Sequence, residues 1–234
     1  PARIAPGRQV PTLVHVQGPE RRVIWDSLAI AEYLAERHPE AGLWPEDPAA
    51  RALARWLSAE MHAGFSALRN DCPMQLLHQY QGFTPSDAVL KDLARLEELW
   101  TLARTRHGAD GPWLFGRYTL ADVFYAPVAA RIAGYDLPVG EIAQAYVAAH
   151  LADPAFRRWR AEGLTVHYDP VPYAMDLPTR PWPGPQPRPA RAVAEGTAEN
   201  AACPYSGRPV TDLIEVDGRI FGFCNPGCRD KTVN

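Results

Sequence analysis

The chain has 234 residues, of which 47% are hydrophobic and 22% are charged, and its formal net charge is -3. This is the composition of a globular protein with one large domain or two small ones. Because no run of Lys and Arg is present, nucleic acid is not an expected partner. No apolar stretch approaches the roughly 18 residues that cross a bilayer, and no apolar signal core follows Pro1, so the sequence predicts a cytoplasmic protein without a membrane partner.

Residues 1–40 read as a strand-strand-helix unit. Residues 10–14 and 22–25 are rich in strand formers, and Gly18-Pro19 supplies a turn between them. Apolar residues at positions 28, 30, 31 and 34 have helical spacing. They predict a helix from Ser27 to Arg37, with Asp26 or Ser27 as the N-cap and Pro39 as the stop.

Residues 41–165 have helical patterns almost throughout. Asp47-Pro48 is an N-cap followed by proline at the first helical position, and Thr84-Pro85-Ser86-Asp87 starts another helix that ends before Gly108. Thr119 and Asp122 form a capping box, and Asp153-Pro154 begins a last short helix. The residues expected to face the core are Leu53, Trp56, Leu57, Phe65 and Leu68, then Val89, Leu90, Leu93, Leu96 and Trp100.

Residues 166–198 contain eight prolines between Pro170 and Pro189, which predicts a stiff, extended, polyproline-like linker. Residues 199–234 regain strand character. Apolar segments at 213–216 and 220–223 flank Asp217-Gly218, the signal of a hairpin with a type I′ turn.

Three of the four cysteines, Cys203, Cys224 and Cys228, lie in this last segment with the spacing C-x20-C-x3-C. In a reducing compartment such clustering favours metal ligation over disulfides. A hairpin and a loop bury too little apolar surface to fold alone, so a metal is expected to stabilise the module. Zinc is the default for thiolate ligands, with Asp212, Asp230, water or another part of the chain as fourth ligand. Cu(I) and a metal-free hairpin with packed cysteines remain alternatives.

Residues 10–13 (VPTL) and 25–34 (WDSLAIAEYL) resemble the second half of the thioredoxin-like domain of glutathione S-transferases. The resemblance continues through Ala59-Glu60-Met61-His62 and the capping box at Thr119, and covers roughly residues 1–165. Among the bacterial subfamilies, the chain resembles the serine-type or zeta-like members. The fold it implies is an α/β thioredoxin-like domain represented by its second half and an all-α domain, to which the cysteine pattern of residues 199–234 adds a small zinc-binding β-hairpin module.

The resemblance also implies a glutathione site. A cis Val10-Pro11 bond would present the main-chain groups of Val10 to the cysteinyl part of glutathione, as an added strand. The N-terminus of the following helix and the Ser27 hydroxyl would bind the γ-glutamyl carboxylate, while Asp26 would lie opposite the γ-glutamyl ammonium group. The structural alternative is that Asp26 and Ser27 only cap the helix and Pro11 only shapes a turn.

In the family, the residue that stabilises the glutathione thiolate lies in a β-α-β unit that we expect upstream of Pro1, so the catalytic residue is unknown. The electrophile is expected near Met61, Phe65, Arg69 and Met74, each of which also has a packing or surface explanation. His62 is expected to be a solvent-facing or hydrogen-bonded helix residue. A homodimer is expected from the family.

The last cysteine segment resembles the YHS and TRASH-like group of small metal-binding domains.

The sequence as a whole predicts an enzyme that conjugates or isomerises a small electrophile with glutathione. A non-catalytic scaffold with the transferase fold and a metal-sensing protein are the alternatives.

Overall fold

The computed structural model describes residues 10–108, 110–164 and 173–233. Its strands are β1 (Thr12–Gln17), β2 (Glu20–Trp25), β3 (His78–Tyr80), β4 (Thr179–Pro181), β5 (Ala190–Val193), β6 (Asp212–Val216) and β7 (Arg219–Phe223). Its helices are α1 (Ser27–Arg37), α2 (Pro48–Ala63), α3 (Ser66–Asp71), α4 (Asp87–His107), α5 (Leu120–Tyr135), α6 (Glu141–Ala152), α7 (Pro154–Leu164) and α8 (Pro226–Val233). None of the helices in these described segments is long and apolar enough to cross a membrane.

The chain divides into two compact units. The first comprises residues up to 72, 85–129 and 138–146, and the second comprises residues 73–84, 130–137 and those from 147 onwards. Helices α5 and α6 therefore contribute residues to both units.

The first unit opens with the predicted hairpin. Strands β1 and β2 pair antiparallel in the register Thr12↔Trp25 to Gln17↔Glu20, and Gly18 turns the chain with a φ of 57°. Helix α1 has the predicted bounds because the Asp26 carboxylate accepts the Leu28 amide at 2.8 Å and Pro39 follows the last turn.

Helices α2 and α4 of the first unit begin at the predicted caps. Asp47 accepts the Ala50 amide at 2.7 Å, and Ser86 accepts the Val89 amide at 3.3 Å. The predicted core stripe is wrong at Trp56 and Leu90, which are 49% and 41% exposed. Each is one helical position away from a fully buried residue, Leu57 or Val89, so the apolar stripe is narrower than the spacing indicated.

The long face predicted from Leu53 to Leu68 is also interrupted. Helix α2 ends at Ala63 with Gly64 as its C-cap, and Phe65 takes a φ of 58° before α3 begins at Ser66. The buried Asp122 carboxylate confirms the capping box because it accepts the Thr119 amide at 2.8 Å. The same carboxylate accepts the Leu114 amide at 3.1 Å and the Tyr146 hydroxyl at 2.9 Å, which fixes the segment before α5.

The second unit contains two small sheets. Strand β3 pairs antiparallel with β4, and β5, β6 and β7 form a three-stranded antiparallel sheet. The hairpin turn is confirmed at Asp217 and Gly218, whose φ values are 52° and 76°. Buried Cys203, Ile214 and Phe223 form the core of this sheet, and α8 packs against it.

The segment predicted as an extended linker contains two of these strands. Pro170 and Pro172 lie outside the described residues, but β4 includes Pro181 and β5 follows Pro189. Parts of the predicted connector are therefore paired as strands. Because β4 and β5 each pair with a partner remote in sequence, a count of prolines could not reveal them.

Candidate functional sites

The first candidate site lies at one end of the β1–β2 hairpin in the first unit. The register places Thr12 opposite Trp25, so the chain just before β1 and the chain just after β2 meet at the same end. The former carries Val10 and Pro11, joined by a cis peptide bond, and the latter carries Asp26 and Ser27. Val10 is 81% exposed. The register therefore brings the four residues predicted to bind glutathione to the same end of the hairpin.

Asp26 is the N-cap of α1 and adopts a φ of 73°. One carboxylate oxygen accepts the Leu28 amide, and the other lies 3.0 Å from Nε2 of His62, near the end of α2. Partial burial opposes ionisation of Asp26, but the Leu28 amide and the His62 ring outweigh it and lower the pKa of this carboxyl. Its side chain remains 44% exposed, so an anionic group at a helix N-terminus faces solvent.

Ser27 contacts the other nitrogen of the same imidazole. Its Oγ lies 3.4 Å from Nδ1 of His62. When Nε2 carries the proton and donates it to Asp26, Nδ1 accepts from the Ser27 hydroxyl. His62 therefore contacts the side chains of both Asp26 and Ser27 at the N-terminus of α1. The ring of Phe124 lies edge-on to the His62 ring, with 6.3 Å between the ring centroids.

Three of the four residues predicted to contact the electrophile lie where α2 ends and α3 begins, whereas Met74 follows α3 and belongs to the second unit. Met61 and Phe65 are buried, with 3% and 7% of their surface exposed. The exposed Arg69 donates from its guanidinium to the Met61 carbonyl at 2.7 Å, so it caps the end of α2. Contact with the electrophile stays a prediction for all four.

The sequence pattern gave His62 only the role of a surface or hydrogen-bonded residue. The hydrogen-bonded interpretation is confirmed, but the partner at position 26 is 36 residues away in sequence. Local spacing gives no sign of such a pair. The one feature of the sequence that could have indicated this pair was the position of His62 near the end of the helix that follows α1.

The second candidate site lies in the second unit, where the three late cysteines converge. The Sγ atoms of Cys203, Cys224 and Cys228 all lie within 4.8 Å of one another. Cys224 and Cys228 are 3.8 Å apart at sulfur, and the Ser206 hydroxyl lies 3.1 Å from the Cys224 sulfur. Cys203 is buried, and Cys224 and Cys228 are partly exposed.

The surroundings of this cluster shift the pKa values of its thiols in different directions. Burial opposes ionisation of Cys203, but the Ser206 hydroxyl and the neighbouring main-chain amides lower its pKa to about 6. Burial and the two neighbouring sulfurs instead raise the pKa of Cys228. The two carboxylates predicted as fourth ligands are occupied otherwise, since Asp212 and Asp230 both pair with Arg229, at 3.4 Å and 2.8 Å.

Comparison with known proteins bears on the first site. A family model described as the glutathione S-transferase N-terminal domain matches residues 1–37. A probable maleylacetoacetate isomerase of Caenorhabditis elegans is 41% identical over 100 residues, which cover 41% of this chain and 45% of that protein. The chain thus aligns with less than half the length of this relative.

A longer alignment extends into the helical region. The maleylacetoacetate isomerase of Pseudomonas aeruginosa is 32% identical over 170 residues, which cover 68% of this chain and 74% of that protein. Among solved structures, a glutathione transferase homologue from Burkholderia, with bound glutathione, is 29% identical with a TM-score of 0.46, covering 65% of this chain and 71% of that one. From the matched N-terminal domain and the long bacterial alignment, the chain belongs to the glutathione S-transferase family.

Proposed function

We propose that the protein is a glutathione-dependent enzyme that isomerises or conjugates a small electrophile. Family membership and two relatives named as maleylacetoacetate isomerases support this activity. The observation that carries it is the convergence of Val10, Pro11, Asp26 and Ser27 at one end of the hairpin, with His62 bonded to the last two.

In this proposal glutathione, a tripeptide, binds at that end of the hairpin. The main chain at Val10 pairs with the cysteinyl residue, as a strand added to an open edge. The γ-glutamyl carboxylate meets the first turn of α1 and the Ser27 hydroxyl, where main-chain amides favour an anion. The γ-glutamyl ammonium meets the ionised Asp26. Each charged end of this moiety is thereby matched by a group of opposite polarity.

The chemistry is that of a thiolate and a conjugated cis double bond. The glutathione sulfur adds to one alkene carbon, and the displaced electron pair moves into the adjacent carbonyl as an enolate. Rotation about the new single bond follows, and cleavage of the carbon–sulfur bond restores the alkene in the trans form. Protons and electrons balance, and glutathione is regenerated. With an aryl halide, halide leaves instead and the thioether is the product.

No group among the described residues is assigned to stabilising the glutathione thiolate, so the catalytic residue stays unknown. We propose that the electrophile binds near Arg69, Met61 and Phe65, and that the enzyme acts as a homodimer. Size-exclusion chromatography with light scattering tests the second point, because a monomer at micromolar concentration would contradict it.

The activity is tested with two substrates and glutathione. A maleyl ketone reports isomerisation by its ultraviolet spectrum, and 1-chloro-2,4-dinitrobenzene reports conjugation. We expect glutathione-dependent turnover of at least one, reduced in Ser27→Ala and retained in Ser66→Ala, which alters an exposed serine at the start of α3. Glutathione binding without turnover of either would favour the scaffold alternative and contradict the enzymatic proposal.

We propose in addition that Cys203, Cys224 and Cys228 hold a structural zinc ion. Two thiolates about 2.3 Å from a tetrahedral ion are separated by about 3.8 Å. The 3.8 Å between Cys224 and Cys228 is consistent with that value. Three thiolates leave one position, and a water molecule is a suitable fourth ligand because Asp212 and Asp230 pair with Arg229. A bound zinc ion would stabilise the module by fixing α8 against the sheet.

Metal analysis of the purified protein tests this site. We expect about one zinc ion per chain, lost in Cys224→Ser and kept in Cys72→Ala, which removes the cysteine outside the cluster. Copper in place of zinc would favour a metal-sensing role. Protein that stays metal-free after refolding with either ion, yet folds normally, would contradict the proposal.

A further inference from the structure

A cavity of about 290 Å³ lies within the second unit, and neither proposed site uses it. Its walls come from α7, from the proline-rich segment after β4, and from the three-cysteine module. An apolar cavity of about 150 Å³ holds benzene, so a volume twice as large accommodates a small aromatic ring with a substituent.

The charge of the walls has a single sign. Arg157, Arg158 and Arg160 line the cavity, whereas none of its described lining residues is Asp or Glu. The three guanidinium groups come from one helical turn of α7, so their charges reinforce one another at the cavity.

The three arginines differ in how far they are already bound. Arg160 donates to the Leu76 carbonyl at 2.8 Å and the Leu77 carbonyl at 3.2 Å, and Arg158 pairs with Glu162 at 3.2 Å. Arg157 is exposed, and its guanidinium makes no hydrogen bond or ion pair with the residues that the structure describes. Arg157 can therefore bind an anion without breaking an existing contact.

Apart from Thr232, the remaining walls are apolar or aromatic side chains and glycine. Trp182 is 7% exposed, with the Arg160 guanidinium 5.0 Å from its ring centroid, and Tyr205 carries Arg158 at 4.7 Å. Buried Phe156 also lines the cavity. Contacts with these rings hold Arg158 and Arg160 against the walls, so Arg157 is the arginine left to bind a carboxylate.

We propose that this cavity binds a small aromatic carboxylate. The ring packs among Phe156, Trp182 and Tyr205, and the carboxylate accepts hydrogen bonds from Arg157, with Arg158 adding charge. A simple inorganic anion would leave the apolar walls unfilled, and a neutral ring would leave the arginines without a counter-charge.

The same cavity contacts the three-cysteine module. Tyr205 lines the cavity and packs against the core of Cys203, Ile214 and Phe223. Its hydroxyl lies 2.8 Å from that of Thr232, another lining residue, on α8. A ligand that packs on Tyr205 therefore touches the module directly, and the effect of ligand on module stability must be matched by an effect of the module on ligand affinity.

Calorimetric titration with 2-naphthoate tests this inference, which stands apart from the glutathione proposal. We expect saturable binding of one equivalent, unchanged by saturating glutathione, and no heat from 2-naphthalenemethanol, the neutral analogue. Arg157→Gln should weaken affinity about tenfold or more, because a hydrogen bond to a charged group is lost. Arg157→Lys should keep part of the affinity.

Arg106→Gln is the matched control, since Arg106 is an exposed arginine on α4 that does not line the cavity. It should bind 2-naphthoate like the unaltered protein. Equal binding of the neutral analogue, displacement by glutathione, or equal affinity in Arg157→Gln would each overturn the proposal. Binding of succinate as tight as that of 2-naphthoate would also overturn it, because the aromatic walls would then contribute nothing.

Discussion

Replacing Asp26 by asparagine separates glutathione binding from helix capping. Asparagine caps a helix nearly as well as aspartate, so the acceptor for the Leu28 amide is kept while the negative charge is lost. At about 4 Å and an effective dielectric constant near 20, two unit charges attract by about 4 kcal/mol, which is the ceiling. The Asp26 side chain is 44% exposed. Solvent screening therefore reduces the expected loss to about 1 kcal/mol, or about fivefold in Kd.

Isothermal titration with glutathione measures this loss, and Asp47→Asn is its control. Asp47 is the N-cap of α2 and accepts the Ala50 amide at 2.7 Å, so it tests for a general effect of changing a capping aspartate. We expect Asp47→Asn to shift Kd less than about twofold. If the two variants weaken glutathione equally, or if Asp26→Asn has no effect, the ammonium is not recognised by this carboxylate.

Three further predictions concern other parts of the chain. Asp122→Ala should lower the free energy of unfolding by roughly 3 to 5 kcal/mol in urea titrations, because two buried amides and a buried hydroxyl lose their acceptor; a loss below 1 kcal/mol would contradict this role. Burial lowers the pKa of His150 to about 3, whereas the unfolded chain binds this proton near pH 6.5. The contribution of His150 to stability should therefore be constant above that pH and fall by about 1.4 kcal/mol per pH unit between pH 6.5 and about 3. His150→Leu should reduce this slope, and an equal slope in the variant would mean that the imidazole is solvated. Finally, a chelator should lower the melting temperature of the protein but not that of Cys224→Ser; equal shifts would place the metal elsewhere.

Local signals predicted the elements whose stops and caps are adjacent in sequence. Helix α1 runs from Ser27 to Arg37 as its spacing indicated, because Asp26 caps it and Pro39 follows it. The β6–β7 turn at Asp217-Gly218 followed from two residues that tolerate positive φ.

Features that depend on remote partners could not be predicted this way. His62 binds Asp26 across 36 residues, and β5 pairs with β6 although it follows a proline-rich segment. Helical spacing located the buried stripe but not its width, so Trp56 and Leu90 were placed inside although both are exposed. The cysteine spacing did predict proximity, because a hairpin returns Cys224 towards Cys203.

The proposed activity requires that glutathione bind at the end of the β1–β2 hairpin. Nuclear magnetic resonance titration of isotopically labelled protein with glutathione tests it most directly. We predict saturating shifts of the Val10, Ser27 and Leu28 amides and of the His62 ring, with one common Kd. If glutathione at millimolar concentration leaves these signals unmoved, or shifts only residues outside this edge, the proposed binding site is wrong.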